Sequence, residues 1–327
     1  MRQQDTVVVG LATYRRPALL AGLLPRLLEQ IEAAAEDLAE DARLGIVVVD
    51  NDPDGSAKAV VDGVGDQRIR YVIEPSPGIS SARNRVLDEA ADADVLVFLD
   101  DDETPHAQWL VHLLKTHREH DADAVCGPVH AVFDGGEDPW IAAGGYYLGQ
   151  RREGMRTGEV LGRAATNNLL LDLAEVRRIG LRFDARFGAS GGEDSLFTGQ
   201  LTASGGRLVL CAEAVVDDLV PRERNRRGVN LARVRAQAGT HVRVEQELAR
   251  TRGERLRGTG RWAVIGSGQV LKGGALVLGG RVTGDLRRRA QGELRVARGL
   301  GALGGCLGAV ASPYARTDGV SGGGVGA

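Results

Sequence analysis

Cysteine is nearly absent. Cys126, Cys211 and Cys306 are the whole complement, far apart and without a CxxC pair. That excludes a zinc cluster by spacing and gives no disulfide framework, so a reducing cytoplasm is the expected compartment. A signal-peptide pattern is missing as well, because MRQQDTVVVGLATY runs straight into a strand-like stretch. Uninterrupted apolar runs are scarce. The longest candidate, residues 263–280, is diluted by glycines, Ser267 and Gln269 and carries Lys272 at its middle. Burying that ammonium in hydrocarbon would cost at least ~2.5 kcal/mol, so a segment lying on a surface or packed on protein is expected instead of a span. Aromatics make up 4% of the chain and none is interleaved with the basic segments to stack on bases. Nucleic acid is therefore not an expected partner.

What is present is unevenly charged. The chain of 327 residues carries a net charge of −3, but residues 221–327 hold 20 Lys and Arg against 7 acids, and residues 1–220 hold 21 against 37. An acidic body with a basic extension suggests two environments, the second one anionic. Short buried-type strands at Val7–Ala12, Gly45–Val49, Ile69–Ile73 and Val95–Leu99 alternate with helical stretches from Pro17 to about Glu40, Ser80–Ala91 and Ala107–Arg118. This alternation predicts an α/β fold with a mostly parallel central sheet and helices on both faces. Residues 134–163 form a long excursion containing Trp140, Tyr146 and Tyr147, where acceptor contacts or simple core packing are both expected uses. Regular elements return at Asn168–Leu171, Leu173–Ile179 and EDSLFTGQLTASG, followed by strand-like Arg207–Cys211 and Ala214–Val216. Pro221 to about Arg257 is Arg-rich and helical in composition, residues 263–327 are Gly-rich and weakly apolar, and the last ten residues are expected to be disordered.

In open α/β sheets ligands gather at the carboxyl ends of the strands. Three polar groups fall there: Thr13-Tyr14, Asp50-Asn51-Asp52, and the triplet Asp100-Asp101-Asp102 that closes VLVFLDDDETP. Turn or cap duty suffices for Asp52 and Asp54. It is a weak account of three adjacent aspartates, whose repulsion needs relief from water or a cation. If the chain stays extended, Asp100 and Asp102 point to one side and can grip a hard divalent cation together with phosphate oxygens. In EPSPGISSARNR, Ser80 or Ser81 can cap a helix whose first turns carry Arg83 and Arg85. Arginine there opposes the helix dipole, and a nearby phosphate or base would explain it, although a surface role suits Arg85. Glu193-Asp194 after a glycine pair reads alone as an ordinary acidic first turn; after the triplet it becomes the candidate general base.

These five pieces, VVVGLATYRRP, IVVVDNDPDGSA, PGISSARN, VFLDDDETP and GGEDSLF, taken in this order over roughly residues 6–220, resemble the family 2 glycosyltransferases with the GT-A fold. The resemblance implies that Thr13, Tyr14 and Asp50 hold the nucleoside, Asp50 accepting from the base, and that Arg83 lies against the nucleotide. Its DxD motif falls on Asp100 and Asp102, with Asp101 between them on the donor. Its base falls on Asp194. Asp218, in VVDDLVP, matches the His or Glu that many relatives carry after the ED helix. The cofactor implied is a divalent cation, Mg²⁺ or Mn²⁺, held through Asp102 and Asp100. The donor implied is a nucleotide sugar, a UDP-sugar first, and the acceptor is a sugar, a lipid-linked group or a small molecule. The QxxRW of processive relatives is replaced by GTGRW with Gly258 at the Gln position, so single-sugar addition by an inverting displacement is expected. Residues 1–220 would form the catalytic domain and residues 221–327 a basic, partly helical extension. The Arg222–Arg227 group and Arg287–Arg289 would suit anionic headgroups or a lipid diphosphate, giving peripheral membrane contact, with a solvated basic face as the ordinary alternative. Two other functions stay in view. A nucleotidyltransferase would need a Gly-rich basic loop after the first strand, where ATYRRP has arginines but no glycine. A noncatalytic nucleotide-sugar-binding module would leave Asp194 dispensable.

Overall fold

The structure, a computed structural model, describes residues 6–38, 41–148, 152–188 and 191–309; the last ten residues lie outside it. Strand β1 (Thr6–Thr13) is flanked by β2 (Arg43–Asp50) and β4 (Val95–Asp100), and β3 (Ile69–Ile73) lies beyond β2. All four run parallel. The sheet continues through β8 (Asn168–Asp172), which is antiparallel to both neighbours, to β6 (Ala124–Cys126) and β9 (Leu208–Leu210). A smaller sheet joins β5 (Glu103–Pro105), β10 (Val216–Val220) and β7 (Val129–Phe133). The expected α/β architecture is thus present, with one reversed strand in the large sheet.

Helices cover both faces. On one side α1 (Pro17–Glu36) and α4 (Trp109–Glu119) bury Leu20, Leu24, Leu27, Trp109 and Leu110 against β1, β2 and β4. Pro25 sits inside α1, which continues through it because the apolar face on either side outweighs the lost hydrogen bond. On the other side α3 (Ile79–Glu89), α6 (Leu173–Ile179) and α7 (Glu193–Ala203) bury Ala82, Val86, Val176, Phe197 and Leu201. Helix α2 (Lys58–Val64) follows the β2 loop. Ser80 and Ser81 do not cap α3; Gly78, at φ 115°, holds that position, and the Ser80 hydroxyl donates instead to the Asp184 carbonyl at 3.1 Å.

The excursion after β7 forms α5 (Pro139–Gly144), and Trp140 and Tyr147 are buried in a satellite core with Val220, Val234 and Leu294. Packing, rather than a free stacking surface, is their use. The Gly-rich stretch departs most from its composition. It folds as two long helices, α9 (Arg252–Thr283) and α10 (Leu286–Cys306), after α8 (Arg227–Leu248). Glycines disfavour a helix singly, but here they recur every seven residues. Gly266 and Gly273 on α9 face Gly299 and Gly292 on α10, so the two backbones approach closely. A Cβ on Gly299 would lie 2.5 Å from the Gly266 carbonyl oxygen, whereas one on Gly268 would meet nothing within 4 Å. Gly299→Ala is therefore expected to lose about 1–3 kcal/mol through overpacking, while Gly268→Ala gains roughly 0.5–1 kcal/mol of helix propensity. Urea denaturation of the two variants checks the opposite signs.

Candidate active site

Because β2, β1 and β4 are parallel neighbours, their carboxyl ends deliver Asp50, Thr13 and Asp100 to one edge. The chain does not stay extended past β4. It turns at Asp101-Asp102 before β5, so the side-by-side placement expected from strand alternation does not hold. The triplet's charge is relieved by arginines from three distant segments. Arg16 Nη1 reaches Asp101 Oδ1 at 2.9 Å and Asp102 Oδ2 at 3.1 Å. Arg224 Nη2 lies 3.4 Å from Asp102 Oδ2. Buried Arg83 donates through Nη2 to Asp100 Oδ1 at 3.2 Å and through Nη1 to Glu193 Oε1 at 2.6 Å. Thr13 is buried and its hydroxyl donates to Asp101 Oδ2 at 2.7 Å.

The Arg83 bridge is the central feature. It ties the end of β4 to the first turn of α7, Arg83 and Glu193 being 110 residues apart, and so brings Asp194 beside the triplet. Burial pulls the Arg83 pKa down, but Asp100, Glu193 and Asp194 outweigh it and the net shift is upward. Burial pushes Asp100 up against the pull of Arg83, with Asp102 and Asp194 adding to the rise. Gly192 caps α7 with φ 93°, a conformation a side chain strains to adopt, and a Cβ there would meet Thr240 on α8.

Burial also raises Glu193 to about 7, against Arg83 and with help from Asp194. The folded protein then holds this proton more tightly than the unfolded chain, whose value is near 4.5. Its contribution to stability is present below the unfolded value and is lost as pH rises through about 7. Stability relative to Glu193→Gln should decline over that window, which urea denaturation at a series of pH values will read; a flat difference would contradict the shift.

Asp50 is fully buried, and both of its oxygens are engaged within the protein. Its Oδ1 accepts from the Asp52 amide at 3.0 Å, and its Oδ2 from the Ala57 amide at 2.7 Å and the Tyr71 hydroxyl at 2.9 Å, with no exposure. The base contact implied by resemblance does not suit it; its carboxylate shapes the loop after β2. Asn51 is equally engaged, bridging Glu74, Ser76 and Gly78. Tyr14 is half-buried beneath the Arg15 guanidinium, 5.2 Å from the ring centre. Arg85 pairs with Glu89 along its own helix, as a surface arginine does.

Sequence reasoning missed Arg16, Glu103, Asn167 and the site role of Arg224. Buried Glu103 accepts from Asn167 Nδ2 at 2.5 Å, and burial followed by the charges of Asp100, Asp218 and Asp102 pushes its pKa well up. Of the Arg222–Arg227 group only Arg224 is turned inward to the site, while Arg222, Arg226 and Arg227 stay exposed. Arg222 meets Asp134, Arg224 meets Asp102 and Arg227 meets Glu293. Only the alternation of β5 and the presence of arginines in YRRP and RERNRR hinted at these roles.

Asp218 stands opposite Glu103 in the small sheet. Its Oδ1 is buried without a hydrogen-bond partner, and burial, then the charge of Asp102, raises its pKa. A lone carboxylate oxygen facing Asp102 and Asp100 fits a hard divalent cation. Among the described residues no three His, Cys, Asp or Glu side chains form a ready cage, so such an ion would need oxygens from a ligand as well.

The profile described as Glycosyl transferase family 2 matches residues 8–172. The succinoglycan biosynthesis protein ExoM of Rhizobium meliloti (strain 1021) is 38% identical over 248 residues, which is 74% of this chain and 75% of that protein. Among solved structures, the mannosyltransferase PcManGT from Pyrobaculum calidifontis, in complex with GDP-Man and Mn²⁺, superposes with a TM-score of 0.60 at 17% identity, covering 91% of this chain and 86% of that one. S. aureus TarS 1–349 in complex with UDP gives 0.50 at 16% identity, covering 88% and 90%.

Proposed function

The chain belongs to glycosyl transferase family 2, and from that premise we propose that it transfers a single sugar, with inversion, from a nucleotide-sugar donor to an acceptor hydroxyl. We read residues 1–220 as the GT-A catalytic part and residues 221–327 as an extension, whose helices α8 and α10 pack on α7 and α5. The observation that carries the reading is the Arg83 bridge, which fastens the candidate base to the donor carboxylates. Relatives by fold are solved with UDP, UDP-GlcNAc and GDP-Man, and a UDP-sugar is our first choice of donor here.

Thr13 and Tyr14 border the nucleoside, and the loop braced by Asp50 completes that wall. Asp101 acts at one remove by holding Thr13 and Arg16. Asp102 and Asp100, with the unpartnered oxygen of Asp218, would hold Mg²⁺ or Mn²⁺. A bound divalent cation would supply positive charge beside the departing diphosphate. Arg16 and Arg224 already set fixed positive charge at Asp102. Asp194 accepts the proton of the acceptor hydroxyl as its oxygen attacks the anomeric carbon from the face opposite the diphosphate. The bond to the diphosphate breaks as the new glycosidic bond forms, and one displacement inverts the centre. A reducing, cytoplasmic setting suits the three free cysteines.

Incubation with a set of nucleotide sugars and Mn²⁺, following nucleoside diphosphate release, tests the reading. Release that is lost in Asp194→Asn and Asp102→Asn supports it. Pyrophosphate release would indicate a nucleotidyltransferase, and donor binding without turnover a noncatalytic module.

A further inference from the structure

Helix α9 turns its glycine seam, Gly266, Gly273 and Gly280, toward α10 and leaves the opposite face uncovered. That face carries Leu256 (74% exposed), Val264 (75%), Leu271 (75%), Leu278 (65%) and Val282 (80%), at spacings of seven, eight and four that keep them in one line. From Val264 to Val282 only Gly, Ser and Ala stand between them, while exposed Arg257 sits on the line two turns before Val264; the whole extends for about 39 Å. Exposed Arg261 and Lys272 run along one flank and exposed Arg281 along the other. Over its length α9 holds six Lys and Arg against a single acid, Glu254. No helix among the described residues is long and apolar enough to cross a membrane.

We propose that this face of α9 lies in the surface of an anionic phospholipid bilayer, with Val264, Leu271 and Leu278 among the acyl chains and the flanking cations at the phosphates. A continuous apolar line edged by cations is the pattern of an interfacial helix, and Lys272 can extend its stem to place the ammonium at the headgroups. Charge chooses the partner. A second copy of the chain docked by the same face would bring one strongly positive helix against another, and residues 310–327, with one Arg and one Asp, offer nothing to neutralise it. Anionic lipid does.

The same edge of α9 opens onto a second feature. Leu278 and Arg281 border an apolar groove of about 920 Å³ between α8 and α9, floored by α10. The far rim is Arg227, three residues after the Arg224 that pairs with Asp102. A docked α9 therefore holds the groove, and next to it the triplet, at the bilayer.

Co-sedimentation of the full chain with vesicles tests the proposal and does not depend on catalysis. The chain should bind vesicles of equal parts phosphatidylcholine and phosphatidylglycerol and not pure phosphatidylcholine. Val264→Asp and Leu271→Glu, on side chains that touch little else, should each weaken binding roughly tenfold or more while leaving the melting temperature and nucleoside diphosphate release in solution unchanged. Absence of binding to the anionic vesicles would overturn it. So would binding that survives both substitutions and yields to salt alone, or a lipid-free dimer that Leu271→Glu dissociates, which would give the face to a second copy.

Discussion

Asp194→Asn is expected to lower turnover by about 10²–10⁴-fold while donor affinity stays near that of the unaltered chain. The amide keeps the shape of the carboxylate but cannot take a proton, so the loss should fall on the chemical step. Asp194 sits in the first turn of α7, where the adjacent Glu193 is already committed to Arg83, which leaves Asp194 as the carboxylate available to an acceptor. Single-turnover kinetics with saturating donor separates the two effects. A variant that binds donor and still transfers at the original rate would remove Asp194 from the mechanism.

The second large effect concerns stability. Above pH 7, where Glu193 is ionised, Arg83→Met is expected to cost about 3–5 kcal/mol, because it strands the buried Glu193 carboxylate and removes a counter-charge from Asp100. Glu193 already has one oxygen, Oε2, without a hydrogen-bond partner, so no spare donor stands ready to compensate. Adding Glu193→Gln to Arg83→Met should recover a substantial part of the loss, since a neutral amide is far cheaper to bury than an unpaired charge. Urea midpoints of the two single variants and the double variant form the cycle that measures the coupling. If the two losses simply add, the bridge is not what fastens α7 to β4.

Much of the catalytic part was legible because strand and helix periodicities are local properties. Ile69–Ile73 and Leu173–Ile179 fall where apolar spacing puts them, and the ordered motifs pointed to the family before any fold was in view. The C-terminal helices were not legible past Arg257. A glycine every seven residues reads as a weak helix former, and its value appears only when a second helix with its own glycines lies against it.

The triplet shows the division most clearly. Residue types alone announced that Asp100, Asp101 and Asp102 could not stand together unaided, since the repulsion of adjacent carboxylates is a matter of charge and spacing along one chain. Which groups relieve it was decided in three dimensions. Arg16, Arg83 and Arg224 are scattered over more than two hundred positions, and a chain pattern carries no distance between segments that far apart. Asp50 makes the same point in reverse. Its position at a strand end marked it for a ligand, and folding turned both of its oxygens to the Asp52 and Ala57 amides and the Tyr71 hydroxyl, because a buried carboxylate is stable only when its hydrogen bonds are met.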